Sequence, residues 1–195
     1  LKPLLVTYDG NNYLPEGAYN RDKMREHFDA DHLIFGPSVD SLIELNRQCF
    51  KIMGDMNWHA HCGIFTVPMQ VAISYQVPLI LWGEHGFTDL GGMFGVDDFF
   101  EFTARDRLEH ALRGYDWHNF TDEGLAKLDR VDLSEGLTEA DLRWGQYPSD
   151  SEINGVGLRG VYLSNYVSWD GNKNAEVARG YGWQEARLPF QRTYV

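Results

Sequence analysis

The chain has 195 residues, 43% hydrophobic and 24% charged, with a formal net charge of -12. That is the composition of a globular domain with a core, and it lacks the clustered Lys and Arg that phosphate backbones require, which excludes nucleic acid as the expected partner. Two cysteines without a CxxC spacing point to a reducing, cytoplasmic setting rather than a disulfide framework. No apolar run approaches the roughly 18 residues of a membrane span, and no signal peptide is evident. The acidity is concentrated in residues 97–152, which carry 15 acidic against 6 basic side chains.

Taken in order, Pro3 to Tyr8 reads as a buried strand, followed by a turn at Asp9-Gly10-Asn11-Asn12 built from residues that tolerate left-handed backbone angles. Residues 16–28 read as a helix with a thin apolar stripe, Met24 and Phe28, and His32 to Phe35 as a second strand ended by Gly36-Pro37. A helix begins at Ser38 or Ser41, with Ser41-x-x-Glu44 fitting a capping box. Leu42, Leu45, Cys49, Ile52 and Met53 form its stripe, which makes Cys49 a core residue. Thr66 and Pro68 predict the start of a further buried helix through Tyr75. Val77 to Trp82 is an apolar run bounded by Pro78 and Gly83, expected to be a strand buried on both faces.

Residues 87–152 break this alternation. They show short helix signals at Thr103–Arg113, Asp122–Leu128 and Thr138–Trp144 and read as an acidic helical insertion. Val161 to Val167 resumes with a strand, and Asn172 to Tyr181 is a helix closed by Gly182. The expected division is 1–86 as a partial α/β domain, 87–152 as the insertion, and 153–195 as the return to the α/β domain. Strands alternating with helices imply right-handed crossovers and an open parallel sheet. In such sheets ligands bind beyond the carboxyl ends of the strands.

Three strand ends carry polar groups suited to such a site: Asp9, Asn11 and Asn12; Gly83, Glu84 and His85; and Trp169 and Asp170 with Lys173 close by. The first two have plainer alternatives: turn chemistry for Asp9, Asn11 and Asn12, and a loop ion pair for Glu84 and His85. Glu84 could also orient a substrate or bind Mg2+. The densest cluster is Trp58-His59-Ala60-His61-Cys62. Neighbouring helix residues diverge by about 100°, so this run cannot by itself supply three metal ligands. Phosphate contacts, proton shuttling or a structural turn with partly buried imidazoles remain open. No P-loop, GxGxxG or GxSxG is present.

Four blocks, LLVTYDGNNY, MGDMNWHAHCGIFTVPMQVA, LILWGEHG and NYVSWDGNKNAE, resemble the N-acetyl sugar amidotransferase family, and the likeness covers nearly the whole chain. The resemblance implies the open sheet of the PP-loop ATP pyrophosphatases, of adenine nucleotide alpha hydrolase type. It implies ATP and Mg2+ as cofactors, a separate glutaminase subunit as ammonia donor, and a nucleotide-linked N-acetyl sugar as substrate. The reaction implied is adenylation of the acetamido oxygen and amination to an acetamidino sugar, as in lipopolysaccharide O-antigen biosynthesis. By position, Asp9, Asn11 and Asn12 would meet adenine and ribose. Gly83, Glu84 and His85 would face the α-phosphate. His59, His61 and Cys62 would face the acetamido group or the phosphates, with Trp58 beside them. Trp169, Asp170 and Lys173 would hold the sugar. The family's SGGxDS loop is missing from this sequence. The chain is therefore expected to be an excerpt of a longer protein, inactive by itself, with that loop upstream of Leu1. Other PP-loop enzymes, such as tRNA thiolases, and a non-catalytic nucleotide-binding module are the rival readings. A metal hydrolase using His59, His61, Cys62 and His85 is a further one.

Overall fold

The computed structural model describes residues 2–11, 13–83, 101–104, 107, 111–134, 136–168 and 170–186. They form a mixed α/β protein with two small parallel sheets. The chain packs as two units, residues 1–36 with 169–195, and residues 37–168.

In the first unit, β1 (Leu4–Tyr8) pairs in parallel with β2 (Asp31–Phe35), from Leu4 opposite Asp31 to Tyr8 opposite Phe35. The crossover is α1 (Pro15–Phe28). It starts with proline at a first-turn position, where the missing N–H costs nothing, and ends at Asp29 in the left-handed region. None of its described residues is buried, as its thin stripe leads one to expect. A last helix, α7 (Gly171–Gly180), returns to α1. The Asn20 side chain donates to Gln184 O and accepts from Gln184 N, both at 2.8 Å, and Tyr181 stacks edge-on against His27.

The second unit holds most of the core. α2 (Val39–Met53) buries Leu42, Leu45, Gln48 and Cys49, close to the predicted stripe. Its N-cap is Ser38; the capping box expected at Ser41 does not form. Ser41 instead donates to Asp141, and Glu44 pairs with Arg47 one turn on. α3 (Trp58–Ser74) begins eight residues before the predicted start at Thr66. Thr66 lies mid-helix, its hydroxyl donating to Cys62 O at 2.9 Å. Pro68 is also internal. A proline has no N–H for the carbonyl four residues back, here that of Ile64. That carbonyl is taken by the indole N–H of Trp82 at 3.3 Å. The helix therefore tolerates a residue that ordinarily breaks one, because the freed acceptor is used by the next strand.

That strand is β3 (Leu79–Trp82), parallel to β4 (Arg159–Tyr162). Burial on both faces was expected, but Leu79 and Leu81 are 48% and 61% exposed, while Trp82 is buried against α3. The apolar run is thus one-sided, covered by the helix that precedes it. β4 is shorter than the predicted 161–167 and passes into a 3-10 turn at Leu163–Asn165. Its other edge bears Glu101, bridged antiparallel to Val161.

The described part of the acidic stretch contributes side chains to the core of the second unit. Ala111, Leu112, Trp117, Phe120, Leu125, Leu133, Leu142 and Trp144 are buried. Its short elements include α4 (Asp122–Lys127), α5 (Glu139–Leu142) and α6 (Asp150–Val156). They join α2 and α3 through Gln48 to Leu133 O and through Gln70, whose amide approaches the carbonyls of Arg143, Trp144 and Gln146. The two packed units are divided at 36/37 and 168/169. The charged residues that mark this stretch in the sequence alternate with apolar ones that reach the core.

Candidate active site

The approach to α3 sets the geometry of the His-rich run. Gly54 ends α2 in the left-handed region, and Asp55 follows. One Asp55 oxygen accepts from Asn57 N at 2.8 Å; the other lies 2.6 Å from Arg113 Nη1. The N-cap residue Asn57 makes no side-chain cap, so a carboxylate at this helix N-terminus comes from Asp55, the sign the dipole favours. Trp58 is buried, its indole N–H donating to Leu112 O at 3.1 Å and its ring tilted on Phe120. Cys62, one turn on, is fully buried and its thiol donates to Gly145 O at 3.4 Å. Burial pushes both the Cys62 and Cys49 thiols far up, so neither is a thiolate near neutrality.

His59 is 5% exposed. Burial, and secondarily His61, push its imidazole down to about 4, against a smaller opposing pull from Asp55. It is therefore neutral at pH 7 and can act as a hydrogen-bonding group or proton carrier, not as a fixed cation. His61 is only half-buried. Of the cluster, Trp58 and Cys62 belong to the core face, His59 lies just inside the surface, and His61 is the most accessible member.

Trp82 joins this turn to the carboxyl end of β3. Its ring packs 5.3 Å from that of Phe65, and its N–H reaches Ile64 O. The N-terminal half of α3 and the end of β3 thus share one edge of the second unit. Gly83 follows there, exposed, with open space where a Cβ would project. Glu84 and His85, the next residues of the predicted site, lie outside the described residues, as do Asn12 and Trp169.

In the first unit, Asp9 is already engaged. One oxygen accepts from Asn11 N at 2.8 Å and the other from Arg21 at 2.9 Å. Asn11 has φ +60°, as the turn composition predicts. The Arg21 guanidinium lies over the Tyr13 ring. His32, on β2, shares a hydrogen bond with Thr7 at 2.8 Å; burial, then Arg21 and Arg25, hold its imidazole below the usual value. Asp170 caps α7, accepting from Asn172 N and Lys173 N, and Lys173 is exposed.

Asp9 is thus bound to Arg21 and Asp170 to backbone amides. Among the described residues no group of three or more His, Cys, Asp or Glu is arranged to hold a metal ion; Glu84, the residue suggested for Mg2+, lies outside them. Among the described helices none is long and apolar enough to cross a membrane.

Two residues at the His-rich turn were not singled out from sequence. Asp55 carries a local signal, Asp-x-Asn just before a helix start, of the kind that forms an Asx turn. Arg113 carries none, because its role depends on a contact between distant parts of the chain. No protein-family model matches this chain, and no curated protein matches it.

Proposed function

We propose that this chain is part of the synthetase subunit of a glutamine-dependent N-acetyl sugar amidotransferase. In this reading the fold is an open parallel sheet of adenine nucleotide alpha hydrolase type. The amide oxygen of an acetamido group on a nucleotide-linked sugar attacks the α-phosphorus of ATP and pyrophosphate leaves. Ammonia, delivered by a glutaminase subunit in the cytoplasm, adds to the activated carbon. AMP departs with the former amide oxygen, giving an acetamidino sugar for lipopolysaccharide or related surface glycans. An amide oxygen is a poor leaving group, and adenylation makes it a good one. The developing charge calls for preorganised donors, a part suited to neutral His59 and to His61, with Glu84 and His85 beyond β3. Asp9, Asn11, Asn12 and Gly83 would serve ATP, and Trp169, Asp170 and Lys173 the sugar side, while Trp58 and Cys62, both buried, support the His-bearing turn from the core and do not touch the sugar.

The observation that carries the reading is the coupling of its two most distinctive blocks. The indole of Trp82, in LILWGEHG, is bonded to Ile64 O, in MGDMNWHAHCGIFTVPMQVA. That fixes the His-bearing end of α3 beside the end of β3. His59 to Ile64 is five residues, about 7.5 Å of helix.

The test uses the full-length protein with ATP, Mg2+, ammonia and a nucleotide-linked N-acetyl sugar carrying heavy oxygen in its acetamido group. The reading expects AMP and pyrophosphate, an amidine product by mass spectrometry, and the heavy oxygen in AMP. AMP without label, or no sugar-dependent ATP cleavage, refutes it. The burial of His59 and Cys62 favours the second reading, a non-catalytic nucleotide-binding module, which predicts nucleotide binding without turnover and no effect of His61→Ala on it.

A further inference from the structure

The first turn of α3 is fastened from outside the helix. Its N-cap side chain makes no capping bond. Asp55, 7% exposed, spans the gap, with one oxygen on Asn57 N and the other on Arg113. The segment that supplies Arg113 is itself anchored on the same turn: Leu112 O accepts from the Trp58 indole, and Ala111 and Leu112 are buried. Arg113 has φ +53°, followed by Gly114 at φ +80°. A long side chain in the left-handed region costs about 1 kcal/mol or more and persists only where surrounding contacts impose it. Here the imposing contacts are the Asp55 ion pair on one side and the Trp58–Leu112 bond on the other.

We propose that Asp55 and Arg113 are positioning residues for the His59–His61 turn, locking the entry of α3 to the 111–114 segment so that His59 stays dry and His61 stays at the helix surface. The kinetic arm of the test below rests on the amidotransferase reading; the titration arm does not. Among the described residues, the charged and titratable groups known to act on His59 and its neighbours are His61 on its own helix, Asp55 before it, Arg113 through Asp55, and, one layer away, Cys49 on α2, itself influenced by Asp55, and Cys62 with Asp116.

For the loss of Asp55, positioning and simple charge effects move His59 in opposite directions; the loss of Arg113 raises the midpoint by either route, so that variant tests the ion pair and not the cause. Asp55 raises the His59 proton affinity, so losing its charge alone would lower the midpoint below about 4. If the pair holds the turn closed, removing it admits water, and relief of burial, the larger effect, raises the midpoint toward the ordinary value. Histidine titration by NMR in the full-length protein separates the two. In Asp55→Asn and Arg113→Ala the His59 midpoint is expected to rise by about one pH unit or more. Arg113→Lys, which keeps the ion pair, restores the wild-type midpoint. In the kinetic arm kcat falls about tenfold in the first two variants, with KM little changed, since misplacement costs rate more than binding. A His59 midpoint at or below the wild-type value in Asp55→Asn, or failure of Arg113→Lys to restore it, overturns the proposal. A full-length wild-type protein that makes no amidine overturns the functional reading and leaves the titration result to decide the positioning role. Should Asp55→Asn fail to fold, amide hydrogen exchange over residues 58–62 decides: faster exchange in Arg113→Ala with protection restored in Arg113→Lys supports the lock, and unchanged exchange overturns it.

Discussion

Gly160 faces Trp82 across the β3–β4 ladder, and replacing it with alanine tests how firmly the end of β3 is held. An added Cβ would lie 2.2 Å from Cζ3 and 2.9 Å from Cη2 of the indole, and 3.3 Å from the Phe102 Cβ. Ordinary contact begins near 3.4 Å, so the ring has to retreat by about 1.2 Å. It has little room, being 6% exposed and lying 5.3 Å from Phe65, 5.1 Å from Phe102 and 6.0 Å from Tyr162 between ring centroids. Overpacking of this kind costs about 1–3 kcal/mol, and a stretched Trp82–Ile64 bond about 1 kcal/mol more. Reduced freedom of the unfolded chain returns about 0.4–1 kcal/mol. The expected net loss for Gly160→Ala is about 2–3 kcal/mol in equilibrium urea unfolding. The clashing atoms belong to the outer ring of the indole, so on a Trp82→Phe background the same substitution should cost less than about 1 kcal/mol, a coupling a double-mutant cycle detects. A Gly160→Ala protein within about 0.5 kcal/mol of wild type, or an equal cost in both backgrounds, would refute this packing.

Acid should weaken the fold through His59. Its folded value is lowered to about 4, so as pH falls below about 6.5 the unfolded chain takes up a proton that the folded chain refuses. Stability is therefore lost with falling pH across that window, by about 2 kcal/mol between pH 7 and pH 5. Urea unfolding at the two pH values should show the His59→Gln protein losing less by about that amount; equal losses in the two proteins would contradict the assignment. The buried thiols of Cys49 and Cys62, both pushed far up, should resist a thiol reagent at pH 8 in the native protein and react together on unfolding. Rapid native labelling of Cys62 would show that it is not in the core.

The element order β-α-β-α-α-β was legible in the sequence because period and punctuation agreed: Gly36-Pro37 ends β2, and Leu42, Leu45 and Cys49 keep one face of α2. The start of α3 was not, because Thr66-x-Pro68 imitates a helix beginning, and only the tertiary contact of Ile64 O with Trp82 lets the helix run through. The faces of β3 were also misread. An apolar run says how much surface seeks cover, not how many layers are at hand to cover it, and Leu79 and Leu81 remain exposed. Within the candidate site, residue types at strand ends were visible, but their commitments were not. Asp9 turns out to be bound to Arg21, Asp170 to its own helix, and the His-rich turn to Asp55 and Arg113.

Pro68 makes α3 and β3 mutually dependent. Alanine there would furnish an amide able to share Ile64 O, so that the indole competes with the helix for that acceptor. A substitution that perfects one element would thus loosen one tie to the other, and helix propensity at this position is a poor guide to the fate of the protein. Any search for stabilised variants should treat the 64–68 turn and Trp82 as a single joint, to be changed together or left alone.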